Sequence, residues 1–240
     1  VTGDGAVATR LFRVPGVLAL PRPPRALALP WETWHADARH EHRHAARHAP
    51  LLLDEEERRR AAAFRLDRDR DTYLTAHVAL RLLLAQLLGG PPDAVPLARL
   101  PCAGCGGPHG KPVLAGRPAV HFSLSHSGPH VLIALAPRPV GADIEGVPPP
   151  ERVHDVAQVL HPAERDHLAG TSAEERPGAF ARLWTRKEAY LKATGAGLHR
   201  PLHLDDLSDG ARHPDGWRIV DLAAPAGHRA ALAVARPHAP

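Results

Sequence analysis

The chain has 240 residues and a formal net charge of +4, long enough to bury a real core as one domain or two small ones. No stretch approaches the 18 apolar residues of a membrane span, no secretory pattern opens the chain, and its two cysteines make no disulfide framework, so a soluble, cytoplasmic protein is expected. Nucleic acid is not an expected partner, because the arginines are scattered among acidic residues without a basic stripe or interleaved aromatics; the same balance suits a polyanionic small molecule.

Residues 1–50 are rich in Pro, Arg, Ala and His, and a short strand or two with irregular connections is expected there. Asp54 with Glu57 three residues on reads as an N-cap signature before a helix over Glu55–Phe64. A second helix is predicted from about Asp69 to Leu88, ended by Gly89-Gly90. Pro91–Pro118 reads mostly as loop. His121–Ala136 alternates about a turn at Ser127-Gly128-Pro129 and predicts a hairpin. Val140–Glu145 is a further strand. Helices follow at Glu151–Leu160, at Pro162–Leu168 with proline in the first turn, and at about Gly178–Thr194, stopped by Gly195. Strands at Trp217–Leu222 and His228–Ala235 end the pattern. No internal repeat is evident.

The 30 basic residues include only three lysines, Lys111, Lys187 and Lys192, in a chain without asparagine or methionine. A composition that turns generic positive charges into arginine leaves lysine where a compact ammonium is needed. Two of the three fall in Trp184-Thr-Arg-Lys187-Glu188-Ala-Tyr-Leu-Lys192. At helical spacing Phe180, Trp184, Glu188 and Lys192 form one stripe, which reads either as charges reaching into a cleft or as a surface Glu-to-Lys pair. In Asp143-Ile-Glu145 the period of a strand points two carboxylates to one side. They are either a solvated acidic edge or a seat for a hard cation such as magnesium. In Phe122-Ser-Leu-Ser125-His126-Ser, Ser125 and His126 stand at a strand-to-turn junction where they could donate to phosphate.

In order, His109-Gly-Lys111-Pro, Phe-Ser-Leu-Ser125-His126-Ser, Val-Gly-Ala-Asp143-Ile-Glu145 and Leu-Trp184-Thr-Arg-Lys187-Glu188-Ala-Tyr-Leu-Lys192 with Gly195-Ala-Gly197-Leu resemble the 4′-phosphopantetheinyl transferase superfamily, in its long, Sfp-type group. These motifs span residues 109–198, and weaker similarity reaches back to about Asp54. The resemblance implies an α+β fold of two similar α/β halves about a pseudo-twofold axis, residues 1–139 and 140–240, with coenzyme A in the crevice between them. It implies magnesium on Asp143, Glu145 and Glu188, and Lys192 on the pyrophosphate. Arg60, Lys111, Ser125 and His126 would lie at the adenosine 3′-phosphate end. Glu188 would serve as base, directly or through a water, when a serine of an acyl or peptidyl carrier protein attacks the pantetheine phosphate and 3′,5′-ADP leaves. Secondary metabolism is the implied setting and a monomer the implied state. The chain departs from the family pattern at Ser123, where asparagine is common, at Glu57, where a basic residue can stand, and in reading Ser-His-Ser. Other readings are a zinc- or nucleic-acid-binding regulatory protein, or a non-catalytic relative that binds coenzyme A or a carrier protein. Cys102-x-x-Cys105 with His109 supplies three zinc ligands but no second pair. His40, His44 and His48 recur every four residues, as coincidence in a chain with 18 histidines would allow.

Overall fold

The structure, a computed structural model, describes residues 9–14, 31–117 and 119–237. Four layers stack in the order helix, sheet, sheet, helix. The N-terminal sheet has the strand order β1-β2-β6-β5, made of β1 (Arg10–Leu11), β2 (Glu32–Asp37), β5 (His121–Ser127) and β6 (His130–Ala136). Only β1 and β2 pair in parallel; the other pairs are antiparallel. The C-terminal sheet is β7-β9-β8, from β7 (Val140–Gly146), β8 (Trp217–Leu222) and β9 (His228–Ala235), all antiparallel. The architecture is mixed α+β, as the sequence implied, and no helix of the described residues is long and apolar enough to cross a membrane.

Strand β6 is apolar at almost every position and buried along its whole length. Val131, Ile133 and Leu135 face helix α3 (Asp67–Leu88), while Leu132, Ala134 and Ala136 face β7 and β9. A strand covered on both faces needs a continuous apolar run, unlike a half-exposed strand. Behind α3 packs α1 (Ala38–Leu52), and α2 (Glu55–Ala62) precedes α3 with a complete capping box: the Glu57 N–H donates to Asp54 Oδ1 and the Asp54 N–H to Glu57 Oε2. Both hydrogen bonds satisfy amides the helix start would leave orphaned.

On the far side, α6 (Arg176–Thr194) lies across β7 and β9, after the short helices α4 (Pro150–Ala157) and α5 (Pro162–Gly170). It ends at Gly195, whose φ of 77° is left-handed backbone that favours glycine. Its approach to β7 depends on Gly141, where an added Cβ would stand 2.0 Å from the Ala189 carbonyl oxygen and 2.3 Å from the Ala193 nitrogen. A second anchor is a buried ion pair. Lys187 Nζ lies 2.8 Å from Glu164 Oε2, their side chains 2% and 0% exposed. Lys187 also donates to the Leu202 and Asp205 carbonyls, and Glu164 Oε1 accepts from the Leu207 N–H. The pair fixes the 202–207 segment against α5 and α6.

One expectation needs correction. Most of α1, a 15-residue helix over Ala38–Leu52, falls within the first 50 residues, where only a short strand or two and irregular chain were expected; residues 1–8 and 15–30 lie outside the described residues. Its buried stripe is Ala38, Glu41, Ala45, His48, Ala49 and Leu52, which is mostly alanine and polar groups and hides the helical period. The stretch 91–118 is mostly loop, as expected, with one short pairing of β3 (Leu97–Arg99) and β4 (Pro112–Leu114). The other helices and strands stand within a few residues of their predicted bounds.

Lys187→Met leaves the Glu164 charge buried and unpaired, so it should lower unfolding free energy by about 3–5 kcal/mol. Gly141→Ala should lower it by about 1–3 kcal/mol through overpacking against the α6 backbone. Urea denaturation of each variant beside the parent chain checks both; an unchanged midpoint for either removes the corresponding anchor.

Candidate active site

Strands β5 and β7 are neighbours but share no backbone ladder. Buried amides must still find acceptors, and three serines at alternate positions of β5 supply them. The Ala142, Ile144 and Gly146 N–H groups donate to the hydroxyls of Ser123 (2.9 Å), Ser125 (3.4 Å) and Ser127 (3.0 Å). Two of these hydroxyls pass their own proton to a carboxylate of β7: Ser125 donates to Asp143 Oδ1 at 2.7 Å and Ser127 to Glu145 Oε2 at 3.2 Å. The strand period puts Gly141, Asp143 and Glu145 on the face toward α6.

Helix α6 brings the other half of the site. Lys192 Nζ donates to Asp143 Oδ1 at 2.5 Å and to Ser125 Oγ at 3.0 Å. One turn earlier Glu188 is half-buried and, among the described residues, has no hydrogen-bond partner. Burial, and then the Asp143 charge, push the carboxyls of both Glu145 and Glu188 above the usual glutamate range. Asp143 is 1% exposed; its Oδ1 serves Ser125 and Lys192, while Oδ2 is buried with no partner among the described residues. An orphaned buried carboxylate oxygen is costly. With two raised carboxyls beside it, it marks a place short of positive charge. The oxygens of the three acids do not all fall within 4.8 Å of one another, as mutual repulsion favours. Three hard oxygen donors, with Asp143 Oδ2 and the Glu188 carboxylate unpartnered among the described residues, fit a divalent cation of the magnesium type.

The stripe along α6 divides in two. Trp184, Glu188 and Lys192 are part-exposed, whereas Phe180 is buried and stacks on Trp184 at 5.8 Å between centroids. Lys111 stands at the C-terminal end of the same helix and donates to the Ala193 carbonyl at 2.7 Å and the Val140 carbonyl at 3.1 Å, burial lowering its ammonium to about 8. It thus ties α6 to the start of β7 and keeps one N–H for other use. His126 points away from Ser125 and is exposed. Desolvation by neighbouring groups, then the Lys192 charge, hold its imidazole below the usual histidine range.

Arg60 is exposed on α2 and makes no hydrogen bond to these groups among the described residues. Glu57 is buried, accepting from Arg81 Nε at 2.8 Å with His77 Nδ1 2.8 Å from its other oxygen. There it locks α2 to α3. His40 and His44 are exposed while His48 is buried, and the three do not come within metal-ligand reach of one another. Sequence reading noted Ser123 only as a departure from the family pattern and Ser127 only as part of the turn, and gave neither a role in the site. Their signal was a serine at every second position of one strand.

Two family profiles match the chain: "4′-phosphopantetheinyl transferase superfamily" over residues 139–234 and "4′-phosphopantetheinyl transferase, N-terminal" over residues 33–138. Among curated relatives, the 4′-phosphopantetheinyl transferase Sfp of Bacillus subtilis is 32% identical over 114 residues, 48% of this chain and 49% of that one. A 4′-phosphopantetheinyl transferase of Bacillus pumilus is 41% identical over 91 residues, 38% of each chain. The 4′-phosphopantetheinyl transferase HetI of a Nostoc species is 30% identical over 194 residues, 76% of this chain and 78% of its own length. The chain thus spans about half the length of the B. subtilis relative and more than three quarters of the Nostoc one. With one relative matched over most of its length and adjoining profiles running over residues 33–234, the chain belongs to the 4′-phosphopantetheinyl transferase superfamily and is Sfp-like within it.

Proposed function

We propose that the chain moves the 4′-phosphopantetheine arm of coenzyme A to a serine of an acyl or peptidyl carrier protein, as a magnesium-dependent transferase of the holo-acyl-carrier-protein synthase type. The observation that carries this reading is the unpartnered Asp143 Oδ2 beside Glu145, Glu188 and Lys192. A site short of positive charge, with an ammonium at its edge, suits a pyrophosphate brought in with its cation. Residues 1–139 and 140–240 act as two halves, and coenzyme A lies in a crevice between them along the β5–β7 seam. The proposed setting is cytoplasmic secondary metabolism, with the monomer as the working form.

Asp143, Glu145 and Glu188 are the residues that would hold magnesium, which supplies charge neutralisation at the pyrophosphate when bound. Lys192, anchored by Asp143 and Ser125, reaches the pyrophosphate from α6 and offsets charge as 3′,5′-ADP leaves, the main help a protein gives phosphoryl transfer. Ser125 positions both groups through its hydroxyl. Glu188, whose carboxyl is raised toward neutrality by burial and Asp143, takes the proton of the attacking serine directly or through one water. His126, Arg60 and the remaining Lys111 N–H serve the adenosine 3′-phosphate end, with Ser125 at its border.

Intact-mass measurement of an apo carrier protein with this chain, coenzyme A and magnesium should show the gain of one phosphopantetheine arm, lost on chelation of the metal. Asp143→Ala should abolish that gain while leaving the circular dichroism of the fold intact; full turnover in the variant would sink the assignment. The raised carboxyls also set a pH dependence. A proton held more tightly by Glu145 or Glu188 competes with a cation, so magnesium affinity should fall as pH drops through their raised range. Thermal shifts with magnesium should therefore be larger at pH 8 than at pH 5.5 and absent in Asp143→Ala. Equal shifts at both pH values would dissociate the two carboxyls from the cation.

A further inference from the structure

Away from the carboxylates, the loop between β3 and β4 folds Cys102-Ala-Gly-Cys105-Gly-Gly-Pro-His109 into a tight knuckle. The Cys102 N–H donates to the Gly107 carbonyl at 2.7 Å, the Gly106 N–H to the Cys102 carbonyl at 2.9 Å and the His109 N–H to the Gly107 carbonyl at 2.9 Å. One ligand atom from each of Cys102, Cys105 and His109 falls within 4.8 Å of the others, the one such group of three or more His, Cys, Asp or Glu among the described residues. Cys105 Sγ is 3.0 Å from His109 Nε2.

Sequence alone left this trio without a fourth ligand. The structure brings a candidate from 97 residues away: His199, in the turn after α6, stands with Nε2 3.5 Å from Cys102 Sγ but outside the 4.8 Å group, so a small movement of its ring toward Cys105 and His109 completes the set. A tetrahedral zinc with Zn–S of about 2.3 Å and Zn–N of about 2.0 Å has sulfur-to-nitrogen edges of about 3.5 Å. The glycines between the ligands keep this space clear. A Cβ at Gly104 would fall 2.2–2.4 Å from the His199 ring, and one at Gly107 would fall 3.1 Å from His109 Nε2 and 3.3 Å from Cys105 Sγ. We propose that Cys102, Cys105, His109 and His199 form a structural Cys2His2 zinc site that clips the β3–β4 loop to the turn following α6.

The local electrostatics prepare the knuckle for a cation. Backbone N–H groups of Cys105 and Gly104 point at Cys102 Sγ and would stabilise the thiolate, the form that ligates metal. Two thiolates and two neutral imidazoles offset the charge of one Zn2+. Forming the site releases to solvent any protons the thiols still hold. Full closure leaves no open position for substrate, which separates this site from the oxygen-donor site near Asp143. The clip falls where it matters for the rest of the chain. The same loop runs on to Lys111, whose Nζ caps the last turn of α6, and a Cβ at Gly195 would lie 3.5 Å from Lys111 Cδ.

Zinc content decides the matter. The full chain, loaded with Zn2+ and desalted into excess magnesium, should carry one zinc per chain by elemental mass spectrometry, and Cys102→Ser/Cys105→Ser should carry none. Substitution with Co2+ should give the thiolate-to-cobalt charge-transfer band and the intense visible bands of a tetrahedral site. His199→Ala should keep the charge-transfer band, lose tetrahedral intensity, and bind zinc at least about tenfold more weakly, since even groups behind the first ligands contribute that much. Zinc no higher in the parent chain than in the double variant, or a cobalt spectrum without a thiolate band, overturns the site. Unchanged zinc affinity in His199→Ala overturns the fourth ligand and with it the clip.

Discussion

Three serine hydroxyls on β5 stand in for a missing backbone ladder with β7, and the remainder of the site depends on them. A hydroxyl accepts and donates at once, so Ser125 and Ser127 satisfy a β7 amide and orient a β7 carboxylate in one gesture. An apolar residue there would strand three amides, and a longer side chain would push the strands apart. Ser123, where relatives of the implied family often have asparagine, performs the first task for Ala142. The junction between the two sheets and the aim of the acidic groups are therefore one set of interactions.

That junction holds like charges close together in a half-buried space. Burial and Asp143 raise both neighbouring glutamates, and Lys192 relieves one Asp143 oxygen but not the other. The strain is local and is offset by packing elsewhere, chiefly the β6 layers, where each fully buried branched or aromatic side chain contributes about 1.5–3 kcal/mol. The Glu164–Lys187 pair adds rigidity on the other face of α6. The acidic groups are thus held by a frame that does not rely on them.

Much of this was legible in the chain. The caps at Asp54 and Gly195, the hairpin about Gly128 and the same-side carboxylates of Asp143 and Glu145 follow from local rules of turn chemistry and strand period. What escaped was long-range or hidden. Helix α1 buries alanine, glutamate and histidine, so its apolar stripe had no large residues to show. Of the three lysines singled out in sequence, only Lys192 reaches the carboxylates; Lys111 holds carbonyls, and Lys187 meets a glutamate 23 positions away. The serine pattern acquires meaning only once β5 is known to lie beside β7, and His199 only once α6 has returned the chain to the β3–β4 loop.

Strand β6 belongs to two cores at once, its odd residues to one and its even residues to the other. Neither sheet can lose its partner without exposing a row of aliphatic side chains to water. Local fluctuations that free a terminus or a surface loop should leave this strand closed, and its amides are expected to exchange with solvent only when the whole molecule opens. The two sheets are consequently expected to melt as one cooperative unit. Genetic separation at the residue 138–140 connection would yield fragments that are sticky and incompletely folded rather than two working modules.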